Sequence, residues 1–299
     1  MKRILVATDF STRSDRALRR ATLLARQVSA EIVLVHVVDD DQPPRLLRVE
    51  EREAGDLLEE IARSVREIDH IRCETRLVLG DPFQAIANAA EGTDADLIVM
   101  GPHRRQALRD VFIGTTVERT IRQSRRPVIM ANAVPAGSYS RVLVATDFSD
   151  CSAAAVREAG RRGFLDHAEV IALHAFDAPA QSLMIRASMT TAELKQYLAD
   201  EEERAAGELS EFLHKVDLRP SRRCVQLNEL STPETIRTFA RSHKVNLVVL
   251  GTHGRSGVAK LLLGSVAEEV LRNSEVDVLV VPAAADVAAA DVAADPVSG

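Results

Sequence analysis

The nine residues RILVATDFS that begin at Arg3 return as RVLVATDFS beginning at Arg141, with one conservative difference. A self-match of that length constrains the fold more than any single motif, because it makes the chain two copies of one unit. A second pair supports it: DLIVMGPH from Asp96 answers to NLVVLGTH from Asn246. The offset between copies grows by about a dozen residues from the first pair to the second, so the second copy carries an insertion, most easily placed within 180–198. With 299 residues in all, each copy has the size of an ordinary domain and can bury its own core.

Each copy alternates short apolar strands with amphipathic helices. In the first, strands are expected at 4–8, 32–38, 72–79, 97–100 and 127–131. Between the first two, Ala17, Leu18, Ala21, Leu24, Ala25 and Val28 recur at helical spacing over 14–28, with the arginines mostly outside that face. Asp81-Pro82 marks another helix start, with an acceptor at the cap and proline at the first position, and Ser231-Thr-Pro-Glu234 has the capping-box pattern at the matching place. Aromatic residues make up only 3% of the chain and Trp is absent, so the cores must be aliphatic. Continuous β-branched strands alternating with helices indicate an α/β fold of two tandem doubly wound, Rossmann-like domains, each a parallel sheet covered on both faces. The expected boundaries are 1–134 for the first domain, 135–140 for a linker, 141–282 for the second domain and 283–299 for a flexible Ala/Asp-rich tail.

In doubly wound sheets ligands sit beyond the carboxyl ends of the strands, where strand order reverses. After the fourth strand of the second copy come Leu250, Gly251, Gly254, Gly264 and Ser265, the glycines separated by two and then nine residues. Such a loop suits phosphate: glycines allow positive φ and close approach of backbone amides, and a helix opening at Gly264-Ser265 adds N–H donors and a hydroxyl. The plainer reading is that the glycines make turns after a strand. Loop, strand and helix together resemble the universal stress protein family, whose ATP-binding members carry Gly-x2-Gly-x9-Gly-(Ser/Thr) here, and the likeness runs through both copies except for the tail.

That resemblance implies ATP, with or without Mg, as the cofactor. By position it implies that Ala145, Thr146 and Asp147 line the turn after the first strand, with Asp147 meeting the adenosine, and that Ala175 lies near adenine. Leu250, Gly251, Gly254, Gly264, Ser265 and Val266 would surround ribose and phosphates. Asp147 has a second reading, as a carboxylate that caps the next helix through Ser149 or its neighbours. In the first copy the spacing survives as Gly101, Arg104 and Gly114-Thr115, but arginine replaces the middle glycine, which implies a degenerate site unless Arg104 and Arg105 pair with an anion. The family also implies that the last strands of the two copies, 128–130 and 278–281, pair to hide two sheet edges in an internal pseudo-dimer. Further homodimerisation is compatible with this.

His103 and His253 have no companion nucleophile in the sequence and read as loop packing or phosphate contacts; His36 and His174 read as structural; Arg255 and Lys260 read as phosphate contacts or solvent-exposed charges. Cys73, Cys151 and Cys224 lack zinc or disulfide spacing; Cys73 and Cys224, each after an arginine at comparable places in the two copies, read as packed thiols, with a redox switch as the alternative. A net charge of -6 argues against nucleic acid as a partner. The start of the chain runs straight into a strand and no apolar run reaches about 18 residues, so the expectation is a cytoplasmic protein without a membrane partner. The resemblance implies regulation in a stress response through ATP binding, and since a Walker pattern and an acidic metal pair are both missing from the sequence, efficient catalysis is not expected; weak ATPase or phosphotransferase activity, or a nucleotide-free scaffold, are the alternatives.

Overall fold

The computed structural model describes residues 1–102, 115–252 and 263–282. In the first half the strands are β1 (Arg3–Ala7), β2 (Glu31–Val38), β3 (Cys73–Leu79), β4 (Leu97–Met100) and β5 (Val128–Met130). Their helices are α1 (Thr12–Val28), α2 (Pro44–Ile68), α3 (Pro82–Gly92) and α4 (Thr116–Gln123). The second half has β6 (Arg141–Ala145), β7 (Glu169–Phe176), β8 (Arg222–Leu227), β9 (Leu247–Gly251) and β10 (Asp277–Val281). With them come α5 (Asp150–Arg161), α6 (Gln181–Arg186), α7 (Thr191–Lys215), α8 (Thr232–Ser242) and α9 (Ser265–Asn273). The insertion is α6 and its flanks, since α2 and α7 are of equal length.

Both halves contribute to one ten-stranded sheet in the order β3-β2-β1-β4-β5-β10-β9-β6-β7-β8. Each half is parallel throughout, and the halves join where β5 and β10 pair antiparallel, Ile129 opposite Leu279. Two strands that would otherwise expose their backbone edges therefore satisfy each other. Helices α1, α2, α5 and α7 cover one face through Leu24, Leu58, Ala153 and Leu209. The other face takes α3, α4, α8 and α9 through Ile86, Ile121, Ile236 and Val270. Strands such as Leu97–Met100 are buried along their whole length, which is why they read as unbroken apolar runs.

Polar groups also cross the junction. Asp277 at the start of β10 is fully buried and accepts from Arg20 Nε of α1 at 2.7 Å, from the Tyr139 hydroxyl at 2.8 Å and from the Ala133 N–H at 3.0 Å. Arg20 also donates to the Gly137 carbonyl at 2.7 Å and lies over the Tyr139 ring. Residues 135–140 therefore do more than span a gap, because Tyr139 is part of the core. Burial, then the neighbouring Asp277 charge, push the Tyr139 phenol well above its ordinary pKa, so it stays a donor. On the other face Arg272 of α9 grips Glu118 of α4 with two bonds of 2.7 and 3.1 Å, and Arg122 faces Glu268 at 3.5 Å. These four side chains occupy equivalent positions in the two copies, so the contact has an approximate two-fold.

Some local expectations are corrected. Asp81 is the N-cap of α3 with Pro82 behind it, but its side chain makes no cap hydrogen bond, and its carboxylate turns to Arg119 at 3.4 Å. Ser231 caps α8 by accepting from Glu234 N–H at 3.4 Å, while the Glu234 carboxylate turns to Arg237 at 2.8 Å instead of closing the box. The tail, 283–299, lies outside the described residues.

Candidate functional site

Strand order reverses between β6 and β9, and the turn leaving β6 carries the repeated Thr-Asp-Phe-Ser. Phe148 adopts φ 68°, a left-handed conformation that costs an ordinary residue about 1–2 kcal/mol. Its N–H is held by Thr146 Oγ1 at 3.0 Å, and its ring stacks on His174 with centroids 4.1 Å apart. His174 Nδ1 lies 2.8 Å from the Thr146 carbonyl. A carbonyl only accepts, so Nδ1 bears a proton. The structural reading of His174 holds, and His36 repeats it with the Thr8 carbonyl at 2.8 Å and Phe10 at 4.2 Å.

Asp147 performs the capping role that was its second reading. Its Oδ1 accepts from the Ser149 N–H at 3.1 Å, from the Ser149 hydroxyl at 2.6 Å and from the Ser152 hydroxyl, and Ser149 is in turn the N-cap of α5. Capping leaves Asp147 on the wall of a cleft of about 320 Å³ between the carboxyl ends of β6, β7 and β9. Ala145, Thr146 and Ala175 line this cleft, and so do Leu250 and Gly251 at the end of β9. Gly264, Ser265 and Val266 complete it from the start of α9. Nine of the ten expected residues thus share one cavity, while Gly254 lies outside the described residues, as do His253, Arg255 and Lys260.

The glycines act differently from the expectation of positive φ. Gly264 is the N-cap of α9 at φ -66° and ψ 150°, which any residue adopts. Gly251 is required by proximity: a Cβ there would stand 2.7 Å from the Cys151 carbonyl carbon and 3.0 Å from the Ser152 nitrogen. Gly101 meets the Arg13 carbonyl oxygen at 2.5 Å in the same way. This glycine lets the strand end close against the next helix, a packing need that both copies share.

What separates the copies is the helix at the far side of the cleft. In α9 no side chain caps the first turn, and among the described residues the N–H groups of Ser265, Val266 and Ala267 have no acceptor. All three residues line the cleft, so the helix presents its donors and its positive dipole end there. In α4 a full capping box takes one of the three equivalent donors: Thr115 Oγ1 accepts from Glu118 N–H at 3.2 Å, and the Glu118 carboxylate accepts from Thr115 N–H at 3.0 Å, while the N–H groups of Thr116 and Val117 have no acceptor among the described residues. The first-half cleft is of similar size, about 360 Å³, with Arg13 where Cys151 stands and Val37 where Ala175 stands. Burial works against the Asp9 carboxylate there. The hydroxyls of Ser11 and Ser14, the Ser11 amide and Arg13, 3.6 Å away, outweigh it and hold its pKa below the ordinary aspartate value. His103, Arg104, Arg105 and Gly114 lie outside the described residues.

Asp177 and Thr232, on the rim of the second cleft, were missed in the sequence. Asn228 ties them together, donating to Asp177 Oδ1 at 2.9 Å and to Thr232 Oγ1 at 3.0 Å. The rule that pointed to strand ends would have found Asp177, which directly follows β7. Thr232 opens a helix from the opposite face, which no local pattern in the sequence connects with the others.

A doubly wound α/β protein in tandem, with a cleft at each reversal of strand order, is the class this geometry defines. The chain belongs to the universal stress protein family, which it matches over residues 1–132 and 138–282. It is 27% identical over 303 residues to universal stress protein Rv2005c of Mycobacterium tuberculosis, an alignment that covers 93% of this chain and 96% of that one. Universal stress protein MJ0577 of Methanocaldococcus jannaschii is 27% identical over 152 residues, 43% of this chain and 93% of its own length. Among solved structures, a universal stress protein from Archaeoglobus fulgidus superposes with a TM-score of 0.67 at 21% identity, covering 93% of this chain and 97% of that one. No described helix is long and apolar enough to cross a membrane.

Proposed function

We propose that this protein is an ATP-responsive regulator whose second half holds the nucleotide, and that binding rather than turnover is its output. One observation carries the reading: the uncapped start of α9, with Gly264 and Ser265, faces Asp147 across a single cleft and closes the glycine pattern that begins at Gly251. Three unpaired backbone donors at a helix start suit a phosphate chain. Adenine would lie against Ala175 and His174, with ribose hydroxyls toward Asp147. Mg would arrive on the phosphates, since among the described residues no cluster of three or more acidic, His or Cys side chains is available to hold it. Differential affinity for two conformations suffices for regulation. All three cysteines are free thiols, which suits a reducing cytoplasm.

The test is equilibrium binding of ATP to the whole protein and to Gly254→Arg. A side chain forced into the phosphate loop should weaken binding by about tenfold or more. Equal affinity in both proteins would reject this loop as the site.

A further inference from the structure

We infer that β8 is the surface through which two copies of this chain pair, antiparallel about a two-fold axis, so that the sheet continues across the dimer. β8 and β3 are the two ends of the ten-stranded sheet, and each has one backbone side without a neighbouring strand. In a ladder, alternate residues turn their N–H and C=O groups to the same side. The Asn228 N–H donates to the Phe176 carbonyl of β7 at 2.8 Å, which turns Cys224 and Gln226 inward and leaves Arg223, Val225 and Leu227 facing out. Among the described residues nothing bonds the backbone groups of these three. They form an open edge.

The opposite end of the sheet is guarded. The Ile32 N–H donates to the Arg72 carbonyl at 2.9 Å, so Cys73 faces out of β3, and Arg66 of α2 donates to the Cys73 carbonyl at 2.8 Å. Thr75, the next outward residue, gives its hydroxyl to Glu59 at 3.4 Å. Charged side chains laid over an edge discourage further pairing. No described side chain does this on β8, where a cavity of about 240 Å³ against α8 leaves the Gln226 and Leu227 end uncovered. With one edge open and the other blocked, β8 pairing with β8 closes a dimer, whereas β8 against β3 would build an open-ended chain.

Charge selects the register. Arg223, Gln226 and Glu229 are exposed, and neither Arg223 nor Glu229 has an ion-pair partner among the described residues. With the two-fold at Gln226, Arg223 stands opposite the partner's Glu229 and Glu229 opposite the partner's Arg223. Val225 then meets Leu227 in both directions, and the two Gln226 amides face each other. A two-fold at Val225 would set Arg223 against Leu227, and one at Arg223 would oppose like charges. Arg223, Val225, Gln226, Leu227 and Glu229 line neither cleft, so the surface stands whatever the clefts bind.

Sedimentation equilibrium of the full-length protein at micromolar concentration should give twice the chain mass. Arg223→Glu should weaken the dimer about tenfold or more, since two attractive pairs become repulsive, and the charge reversal Arg223→Glu, Glu229→Arg should restore it. Val225→Pro removes an outward N–H that β7 does not use, and should give a monomer that is folded by circular dichroism. Both charged positions are exposed, so their variants carry the test if Val225→Pro fails to fold. A dimer that is indifferent to Arg223→Glu, or a charge reversal that restores nothing, would overturn the inference. A monomeric wild-type protein would overturn it too and leave the edge to an extended peptide from another protein.

Discussion

Replacing Asp277 by asparagine should destabilise the whole molecule. The substitution keeps the shape of the side chain and removes its charge. Arg20 is then left 3% exposed with its partner neutralised, while the new amide must direct its N–H₂ at either the Arg20 and Tyr139 donors or the Ala133 N–H. Three donors converge on the two oxygens of Asp277, so neither orientation of the amide satisfies them all. Breaking one partner of a buried pair costs about 3–5 kcal/mol, because a desolvated charge remains uncompensated. Because β5 and β10 join both halves in one sheet, the loss should be felt throughout the molecule. With a urea slope of about 3 kcal/mol/M, the upper end for small proteins, the midpoint should fall by about 1–1.7 M. Far-UV circular dichroism across a urea series measures this. A cycle with Arg20→Met should give a coupling of about 2 kcal/mol or more. If Asp277→Asn moves the midpoint by less than about 0.3 M, the junction is not held by this cluster and the reasoning fails.

Other outcomes follow from the same structure. Gly251→Ala should lower the melting temperature of the nucleotide-free protein by about 3–10 °C, since its Cβ would stand 2.7 Å from the backbone of Cys151 and overpacking costs about 1–3 kcal/mol; an unchanged melting curve would show that the turn yields freely. Asp96 resists protonation although burial opposes its charge, because the N–H groups of Lys2 and Arg3 and the Arg162 guanidinium favour the carboxylate. Its folded pKa lies below the unfolded 3.8, so the stability it contributes is fully present above that value and is lost as pH falls through the folded pKa. Asp96→Asn should therefore flatten the stability profile below about pH 4 in acid titrations of urea midpoints. Burial pushes the Cys73 thiol up to about 11, so alkylation of Cys73 at pH 8 should be about a hundredfold slower in the native protein than in urea, as read by peptide mass.

The repeat, the 3.6-residue periodicity of the helices and the continuous apolar runs determined the doubly wound halves and nearly every strand, because parallel strands buried on both faces must be unbroken apolar runs and so leave a strong local signal. The family resemblance carried by the glycine spacing likewise named nine residues that line one cleft. Other features had no local signature. Ser231-Thr-Pro-Glu234 and Thr115-Thr-Val-Glu118 carry the same box pattern, yet only the second closes, since Glu234 finds Arg237 nearby. Ser265-Val-Ala-Glu268 has that pattern too, but its helix starts one residue earlier at Gly264, with Glu268 drawn to Arg272 and Arg122.

Residue order alone therefore determined which segments are strands and helices, and which loops meet at the clefts where strand order reverses. Tertiary structure decided which helix start carries a closed capping box, why Gly251 must be glycine, and how Asp277 is buried against Arg20 and Tyr139. The physical reason is range. Periodicity and turn chemistry act over a few neighbouring residues, whereas the charges and close contacts that distinguish two nearly identical clefts come from segments 100 residues or more apart in the chain, such as Glu118 and Arg272.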